Sequence, residues 1–549
     1  MKKNSSLKRS LAMGMAVAMV GATLAGCGGS SSAAASSTAE STAGSEAAAE
    51  PANAEKPYEG TTLTWYTKLN ANVSDNYTNL GETPWAQYVE EKTGIHIEFQ
   101  HPTQGSENEE FAVMVASGEY PDIIEHTWTS YSGGGGAAIN DGVIIALDDY
   151  MDQAPNLSAL LEENPEISKM IKSSSGNYYC FPFLLGLETP NKTEFSSGLT
   201  YRADVLKELG FDTVPETIDE WEEVLRAAKA AGFSKPFTTR NEWVKDVWSP
   251  AFDNWGSFYV DDGVVKNGLI EDSRKEFIAR MAAWYDEGLL DNDWMQADKK
   301  STQTDFVAGN CVLGYAPFGQ GLGTYTQAMM EADPNFKEEY IQAAAPVTST
   351  KGKNAKFSKM NNIFDQSGVS AAISSQCKNV EAAVWLLDWM YSEEGMICYN
   401  FGIEGVSYEM VDGKPVYTDV IMNNPDGMSV AQALAAYTRT STSGVGVQME
   451  DYIEQYYAQD NQKTALELSM KTDMGEHMFP PCSVSEENQD RYTEIMSQVK
   501  TLSDEMEASF ICGTTSMDEW DSYQQKLKDA GIEEAIAMMQ QAYDNYMAN

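Results

Sequence analysis

Positive charge is scarce in this 549-residue chain: 37 Lys and Arg stand against 82 Asp and Glu, a formal charge of −45. That balance repels phosphate backbones and argues against a nucleic-acid partner. Solubility and mutual repulsion at a crowded surface account for it. Histidine is rarer still, and His96, His101, His126 and His477 include no helix-spaced pair. No Cys-x-x-Cys occurs among the seven cysteines, so no structural zinc or other metal site is expected. No Asp-x-Asp-x-Asp-Gly loop is present either; no cofactor is expected, with calcium alone left open. The sequence lacks a Gly-x-Ser-x-Gly elbow, and the run Gly133 to Gly136 lacks the Lys-Ser/Thr that follows a phosphate loop. That run reads as a flexible turn, and no catalytic residue is assigned. Beyond the N-terminus no segment is long and apolar enough to span a bilayer.

What is present begins with an address. Lys2, Lys3, Lys8 and Arg9 precede an uncharged, largely apolar run from Leu11 to Leu24, too short for a membrane span. Leu24-Ala25-Gly26-Cys27 closes it and resembles the bacterial lipobox, whose cysteine carries the lipid. Residues 1–26 are therefore read as a lipoprotein signal peptide and Cys27 as the lipidation site. Residues 27–57 are rich in Gly, Ser, Ala and Glu, a composition that cannot bury a core and suits a flexible tether. The body would then work at the outer face of the cytoplasmic membrane, touching it through the lipid anchor only. The remaining cysteines, Cys180, Cys311, Cys377, Cys398, Cys482 and Cys512, lie in or near apolar runs. They read as small buried hydrophobes, although an even number outside the cell also permits disulfides.

Hydrophobic content of 42% fits a folded body. Thr61 to Tyr66, Ile95 to Phe99 and Pro121 to Ile124 read as strands. Between them, Thr83-Pro84 opens a helix that ends before Gly94, and Ser106-x-x-Glu109 is a capping box opening another with Phe111, Met114 and Val115 on one face. This spacing predicts parallel crossovers in an α/β sheet. Further on, Thr217-x-x-Glu220 caps a helix with Trp221 on its core stripe, and Asp272 to Glu287 buries Phe277, Ile278, Met281 and Trp284. The last helix sets Ile536, Met539, Tyr543 and Tyr546 on one stripe. Trp385 and Trp389 also lie on a helix stripe and are assigned to the core.

Several segments, in order, resemble the family 1 extracellular solute-binding proteins of ABC importers. Ser117-Gly118-Glu119-Tyr120-Pro121-Asp122-Ile123-Ile124 is similar to the family's SG-x-x-PDII, and Gly142 to Tyr150 to its G-hydrophobic-LDDY element. Gly176 to Pro182 is similar to G-x-x-Y-x-x-P, and Tyr201 to Trp221 resembles the strand and helix that follow the first crossing between lobes. Gly402-Ile403-Glu404-Gly405-Val406-Ser407-Tyr408, Phe479-Pro480-Pro481 and Phe510 to Gly513 resemble the large LipO-like sugar-binding lipoproteins. The resemblance implies a two-lobed periplasmic-binding-protein-like α/β fold of type II with the ligand cleft between lobes. Lobe one is expected at 58–187 and 368–440, lobe two at 188–367 and 441–549. It further implies a monomer that closes on a mono- or oligosaccharide and delivers it to ABC importer permease subunits. Two rivals stay open: a binder of peptide or metal complex on the same scaffold, and a surface glycan-degrading enzyme, for which 82 acidic residues make a carboxylate pair easy to find.

A pyranose has an apolar C–H face and a hydroxyl rim, so it wants a flat aromatic and polar groups around its edge. Aromatics in polar or Gly-rich loops are the candidates. Trp128 and Tyr131 follow the Pro121 strand, in a loop that faces the cleft in the resembling family; local packing of Trp128 is equally open. Arg240-Asn241-Glu242-Trp243 to Trp248 joins aromatics with both charge signs. Trp243 and Trp248 are five apart, so one ordinary helix face would not present both; at least one of them is expected to reach the cleft, with Trp255 as a core alternative. Tyr315 ends an apolar strand where the family places a cleft aromatic, and is preferred over Phe318 for its hydroxyl. Arg240, Asn241, Asn362, Asp365 and Glu404 are the polar candidates, carboxylates being good acceptors from vicinal hydroxyls; each has a loop or N-cap role as its alternative, and for Asn362 that alternative is the favoured one.

Overall fold

A computed structural model describes residues 56–240, 243–364, 369–441 and 444–548, so the signal peptide, most of the tether and Cys27 lie outside the described residues. The expected alternation forms strands. β1 (Thr62–Tyr66), β2 (His96–Gln100) and β3 (Ile123–His126) are parallel, with helices Pro84–Thr93 and Glu107–Ser117 as their crossovers. Asp122, in the PDII segment, pins β3 to β1: its carboxylate accepts from the Thr64 amide (2.8 Å) and hydroxyl (2.7 Å). Thr83 caps its helix from Pro84, and Gly94 ends it at φ +70°. The Ser106 capping box does not form. Its hydroxyl makes no cap bond; instead Glu110 accepts from the Thr103 amide and Glu107 from the Gly105 amide, so these carboxylates serve the turn before the helix.

After β4 (Phe183–Leu185) the chain builds a second four-stranded sheet. β5 (Ser197–Arg202) lies antiparallel to β9 (Leu313–Pro317) and β10 (Ile341–Ala343), and β6 (Phe237–Thr238) runs parallel to β9. Between them stands the hairpin β7–β8 (Phe258–Asp261 and Val264–Asn267). β11 (Ser370–Ile373) then returns to the first sheet, antiparallel to β3. A second hairpin, β12–β13, spans Tyr408–Val411 and Lys414–Tyr417, and β14 (Gly446–Gln448) pairs in parallel with β4.

Each sheet has its own core. The first gathers Leu63, Trp65, Ile97, Ile123, Leu157 and Ile373. The second gathers Trp221, Trp248, Phe277, Trp284, Ile495 and Phe510, so the long C-terminal helix Glu486–Ile511 packs on the second sheet's side. A third cluster joins Phe318 and Tyr325 to Phe401, Tyr417, Leu434 and Tyr452, side chains that the expected boundaries divide between lobes. Trp221 and Trp284 are fully buried, whereas Trp385 and Trp389 are only partly so. The last helix, Ile532–Ala548, buries Ile532, Ala535, Met539 and Ala542; of the expected stripe only Met539 is fully covered, and Ile536, Tyr543 and Tyr546 flank it. The six cysteines after Cys27 are unpaired, three of them fully buried.

The glycine run is no loose turn. Gly134–Asn140 is helical with Gly134, Gly135 and Gly136 buried. A Cβ on Gly135 would stand 2.4 Å from the Tyr179 ring, so glycine is what lets this backbone press against its neighbour.

Candidate functional site

A cavity of about 650 Å³ is walled by segments from several parts of the chain. Thr129, Ser130, Tyr131 and Gly134, which follow β3, form one side. Trp255, Ser257 and Phe258, just before and within β7, form another. Met360, Asn361 and Asn362 come from the run that returns to the first sheet. Met474, Met478, Phe479, Tyr492 and Met496 complete it from the C-terminal part. Among the described residues that line it none is charged: the surface is aromatic, thioether, hydroxyl and amide.

The aromatics of this lining are fixed by ring contacts and by the loop that carries them. Phe258 packs 6.1 Å from Phe479 and 6.4 Å from Tyr492, ring centre to ring centre. Trp255 is half-buried and stacks on Phe357 at 6.4 Å. Its backbone is fixed by Asn254, whose amide donates to the Gly268 carbonyl (3.0 Å) and the Ser273 hydroxyl (3.1 Å) and accepts from Arg274 Nη1 (3.2 Å). A Cβ on Gly268 would stand 1.9 Å from the Trp255 carbonyl oxygen, so only glycine admits this approach. Arg274 in turn makes a two-pronged bond to Glu507, both arms 2.8 Å, and Lys245 adds a contact at 2.9 Å. Burial alone would raise the Glu507 pKa, but the charges of Arg274 and Lys245 prevail and bring it to about 2. The aromatic loop thus rests on an ionised, buried lattice.

Of the sequence-derived candidates, Tyr131 and Asn362 line the cavity. Tyr131 donates to Asp141 at 2.9 Å, and burial together with that carboxylate holds its hydroxyl protonated well above the usual range. Trp128 stands beside it (ring centres 6.4 Å apart) but is 2% exposed, with its indole N–H donating to the Ser370 carbonyl (3.0 Å). It backs the wall rather than forming it. Next to it His126 is held neutral, its pKa brought down to about 4 by burial.

Arg240, Trp243 and Tyr315 come together elsewhere. The guanidinium lies 4.1 Å above the Trp243 ring, which meets Tyr315 edge-on at 5.4 Å. Tyr315 is buried and accepts from the Ser197 hydroxyl (3.1 Å); neither ring reaches the large cavity. Trp248 is fully buried against Trp284 and Phe237 and belongs to the core of the second sheet, because five residues along a helix put it on the face opposite Trp243. Glu404 is exposed beside the β12–β13 hairpin, away from the cavity. Asn241 and Asp365 lie outside the described residues. The sequence reading missed Trp255, Phe258, Phe479 and Tyr492. The polar and glycine neighbours in Asn254-Trp255-Gly256-Ser257 were the available signal for the first. Among the described residues no cluster of His, Cys, Asp and Glu could hold a metal.

Two α/β sheets with separate cores and a large aromatic and polar cavity define a two-lobed solute-binding fold. The solved structure of alginate-binding protein AlgQ2 without calcium ion superposes with a TM-score of 0.69 at 24% identity, covering 89% of this chain and 98% of that one. A human-milk-oligosaccharide (HMO)-binding, ABC-transporter-associated solute-binding protein from Bifidobacterium longum infantis ATCC 15697 also scores 0.69, at 17% identity over 88% and 99%. Residues 70–397 match the family model of the bacterial extracellular solute-binding protein, and the chain belongs to that family. It is a binding protein, not an enzyme. Among curated proteins it is 26% identical over 497 residues to Lipoprotein LipO of Bacillus subtilis (strain 168), 84% of this chain and 89% of that one. It is 25% identical over 499 residues to the fructooligosaccharide ABC transporter substrate-binding protein FusA of Streptococcus pneumoniae serotype 4 (strain ATCC BAA-334 / TIGR4), 84% and 87% respectively.

Proposed function

We propose that this protein is the substrate-binding component of an ABC importer and captures a mono- or oligosaccharide in the 650 Å³ cavity. The observation that carries the reading is the lining itself. Trp255, Tyr131, Phe258 and Tyr492 offer flat apolar faces to sugar C–H groups, while Asn361, Asn362, Ser130 and Gln489 offer donors and acceptors for hydroxyls. A free peptide would need charged anchors for both termini, and no charged side chain lines this cavity among the described residues; nor is there among them a cluster of three His, Cys, Asp or Glu that could hold a metal ion. The names of the relatives, FusA and the human-milk-oligosaccharide binder, support the sugar reading.

Lobe one comprises 58–187 and 368–440, lobe two 188–367 and 441–549, a division supported by the strand membership of the two sheets. The monomeric body is tethered through a lipid on Cys27, a reading supported by Leu24-Ala25-Gly26-Cys27 and by likeness to a protein named lipoprotein. Closure of the lobes removes the sugar from water and gives the permease a shape to distinguish loaded from empty protein.

A thermal-shift screen of neutral and acidic oligosaccharides tests the reading. A bound sugar at 100 times its dissociation constant stabilises by about 2.7 kcal/mol. No stabilisation by any glycan, with a shift by peptides instead, would overturn it.

A further inference from the structure

The uncharged cavity adjoins a second chamber of different chemistry. The two share Thr129, Gly134, Pro481, Cys482 and Ser483, and the second chamber is about 70 Å³, room for roughly five water-sized positions. Its remaining wall includes Lys169, Lys172, Ser173, Ser174 and Tyr546, and no carboxylate among the described residues lines it. Two lysines lining one chamber whose described wall holds no carboxylate is a pointed arrangement in a chain with 82 acidic and 37 basic side chains.

Both ammonium groups are positioned by aromatic faces. Lys169 Nζ lies 5.5 Å from the Tyr546 ring centre, and Lys172 Nζ lies 4.7 Å from that of Tyr178. Neither forms an ion pair with a carboxylate among the described residues. Glu166, on the same helix as Lys169, acts on the Tyr546 hydroxyl and does not line the chamber. The rest of the molecule's negative charge matters little here, because at physiological ionic strength exposed charges beyond about 8 Å are largely screened.

We propose that this chamber is an anion subsite: it takes a negatively charged substituent on one end of the glycan whose neutral units occupy the larger cavity. The inference rests on the sugar-binding reading and adds the class of sugar. The charged group would receive hydrogen bonds from Lys169 and Lys172, with the Ser173 and Ser483 hydroxyls as further donors.

The test compares matched neutral and acidic ligands by calorimetry on the purified chain: lactose against 3′-sialyllactose and 6-sulfolactose, and xylotriose against its glucuronosyl-branched form. At least one acidic member should bind roughly tenfold tighter than its neutral partner, the scale of one or two charge-assisted hydrogen bonds. The preference should shrink as salt is raised, vanish in Lys169→Gln/Lys172→Gln and persist in Lys169→Arg/Lys172→Arg, while the neutral partner binds all three proteins alike. A carboxylate preference without a sulfate preference, or the reverse, identifies the substituent. Neutral glycans binding with no acidic preference would overturn this inference and leave the sugar reading standing. An acidic preference that survives the double Gln variant would overturn it as well, as would free glucuronate or inorganic sulfate binding as tightly as the acidic glycan. If no glycan of either kind bound, both readings would fall together.

Discussion

At the scale of single residues, two tryptophans seven positions apart have opposite roles. Trp248 follows Val247 on the helix Trp243–Trp248 and is wholly enclosed; Trp255 follows Asn254 in a tight loop and is half open to the cavity. Trp248→Ala should cost about 3–5 kcal/mol through the void it leaves, read as a lowered unfolding midpoint in denaturant. Trp255→Ala should leave that midpoint nearly unchanged and weaken sugar binding roughly tenfold or more, as loss of a central aromatic anchor does; calorimetry with the best-bound glycan separates the two effects. What distinguished them was only partly legible. The five-residue spacing of Trp243 and Trp248 correctly denied them a common face. No local pattern says that the residue after Asn254 lines a cavity together with Phe479 and Tyr492, because those residues arrive from more than 200 positions away along the chain.

At the scale of elements, the runs that leave and rejoin the first sheet travel side by side. The Leu185 amide donates to the Ile363 carbonyl (2.8 Å), and the Asn361 amide donates to the Glu194 carbonyl (2.9 Å). Glu194 is buried in the turn Lys192–Glu194, accepting from the Asn191 amide (2.7 Å) and the Thr189 hydroxyl (3.0 Å). Burial outweighs these bonds and pushes its pKa from 4.5 to about 7. The folded chain therefore holds this proton more tightly than the unfolded one. The resulting stability is fully present below about pH 4.5, declines as the pH rises, and is gone above about pH 7. Asp388 is shifted upward by burial too and acts in the same sense, so the comparison must be with a variant. Between pH 5 and 7.5 the wild-type unfolding free energy should fall by about 2.4 kcal/mol more than that of Glu194→Gln.

The lattice under the aromatic loop has the opposite sign. Glu507, depressed to about 2, contributes stability above its unfolded value that is lost as the pH falls toward 2. Arg274→Met leaves that buried carboxylate with Lys245 as its cation and the Tyr523 hydroxyl as a weak donor, and should cost about 3–5 kcal/mol. It should also weaken sugar binding, since Asn254 loses the guanidinium that orients it. Equilibrium unfolding and calorimetry on the same variant check both. Elements such as the Thr217 box were plain in the sequence, because a cap and its helix lie within four residues of each other. The Arg274–Glu507 pair joins residues 233 positions apart and leaves no local trace.

At the scale of the whole molecule, the order of motifs carried the fold, since a parallel crossover sheet follows from strand and helix spacing alone. The cavity did not follow, because it exists only where separated segments face one another. Gly134 and Ser483 are such a pair, one following β3 and the other preceding the C-terminal helix, in the segments proposed as lobes one and two. A Cβ added at Gly134 would stand 3.6 Å from the Ser483 Cβ, within the span of a disulfide. Gly134→Cys/Ser483→Cys, made with Cys482→Ser to prevent mispairing, should therefore oxidise readily. The left-handed backbone at Gly134, φ +70°, makes the side chain cost about 1–2 kcal/mol, which the crosslink can offset. If the lobes must part for sugar to reach Trp255 and Tyr131, oxidation of the empty protein should suppress binding and reduction should restore it. Oxidation after sugar is bound should instead trap it and slow its release. Unchanged uptake and release in the verified disulfide form would show that ligand reaches the cavity without separating these two segments, and closure would have to be sought at another contact.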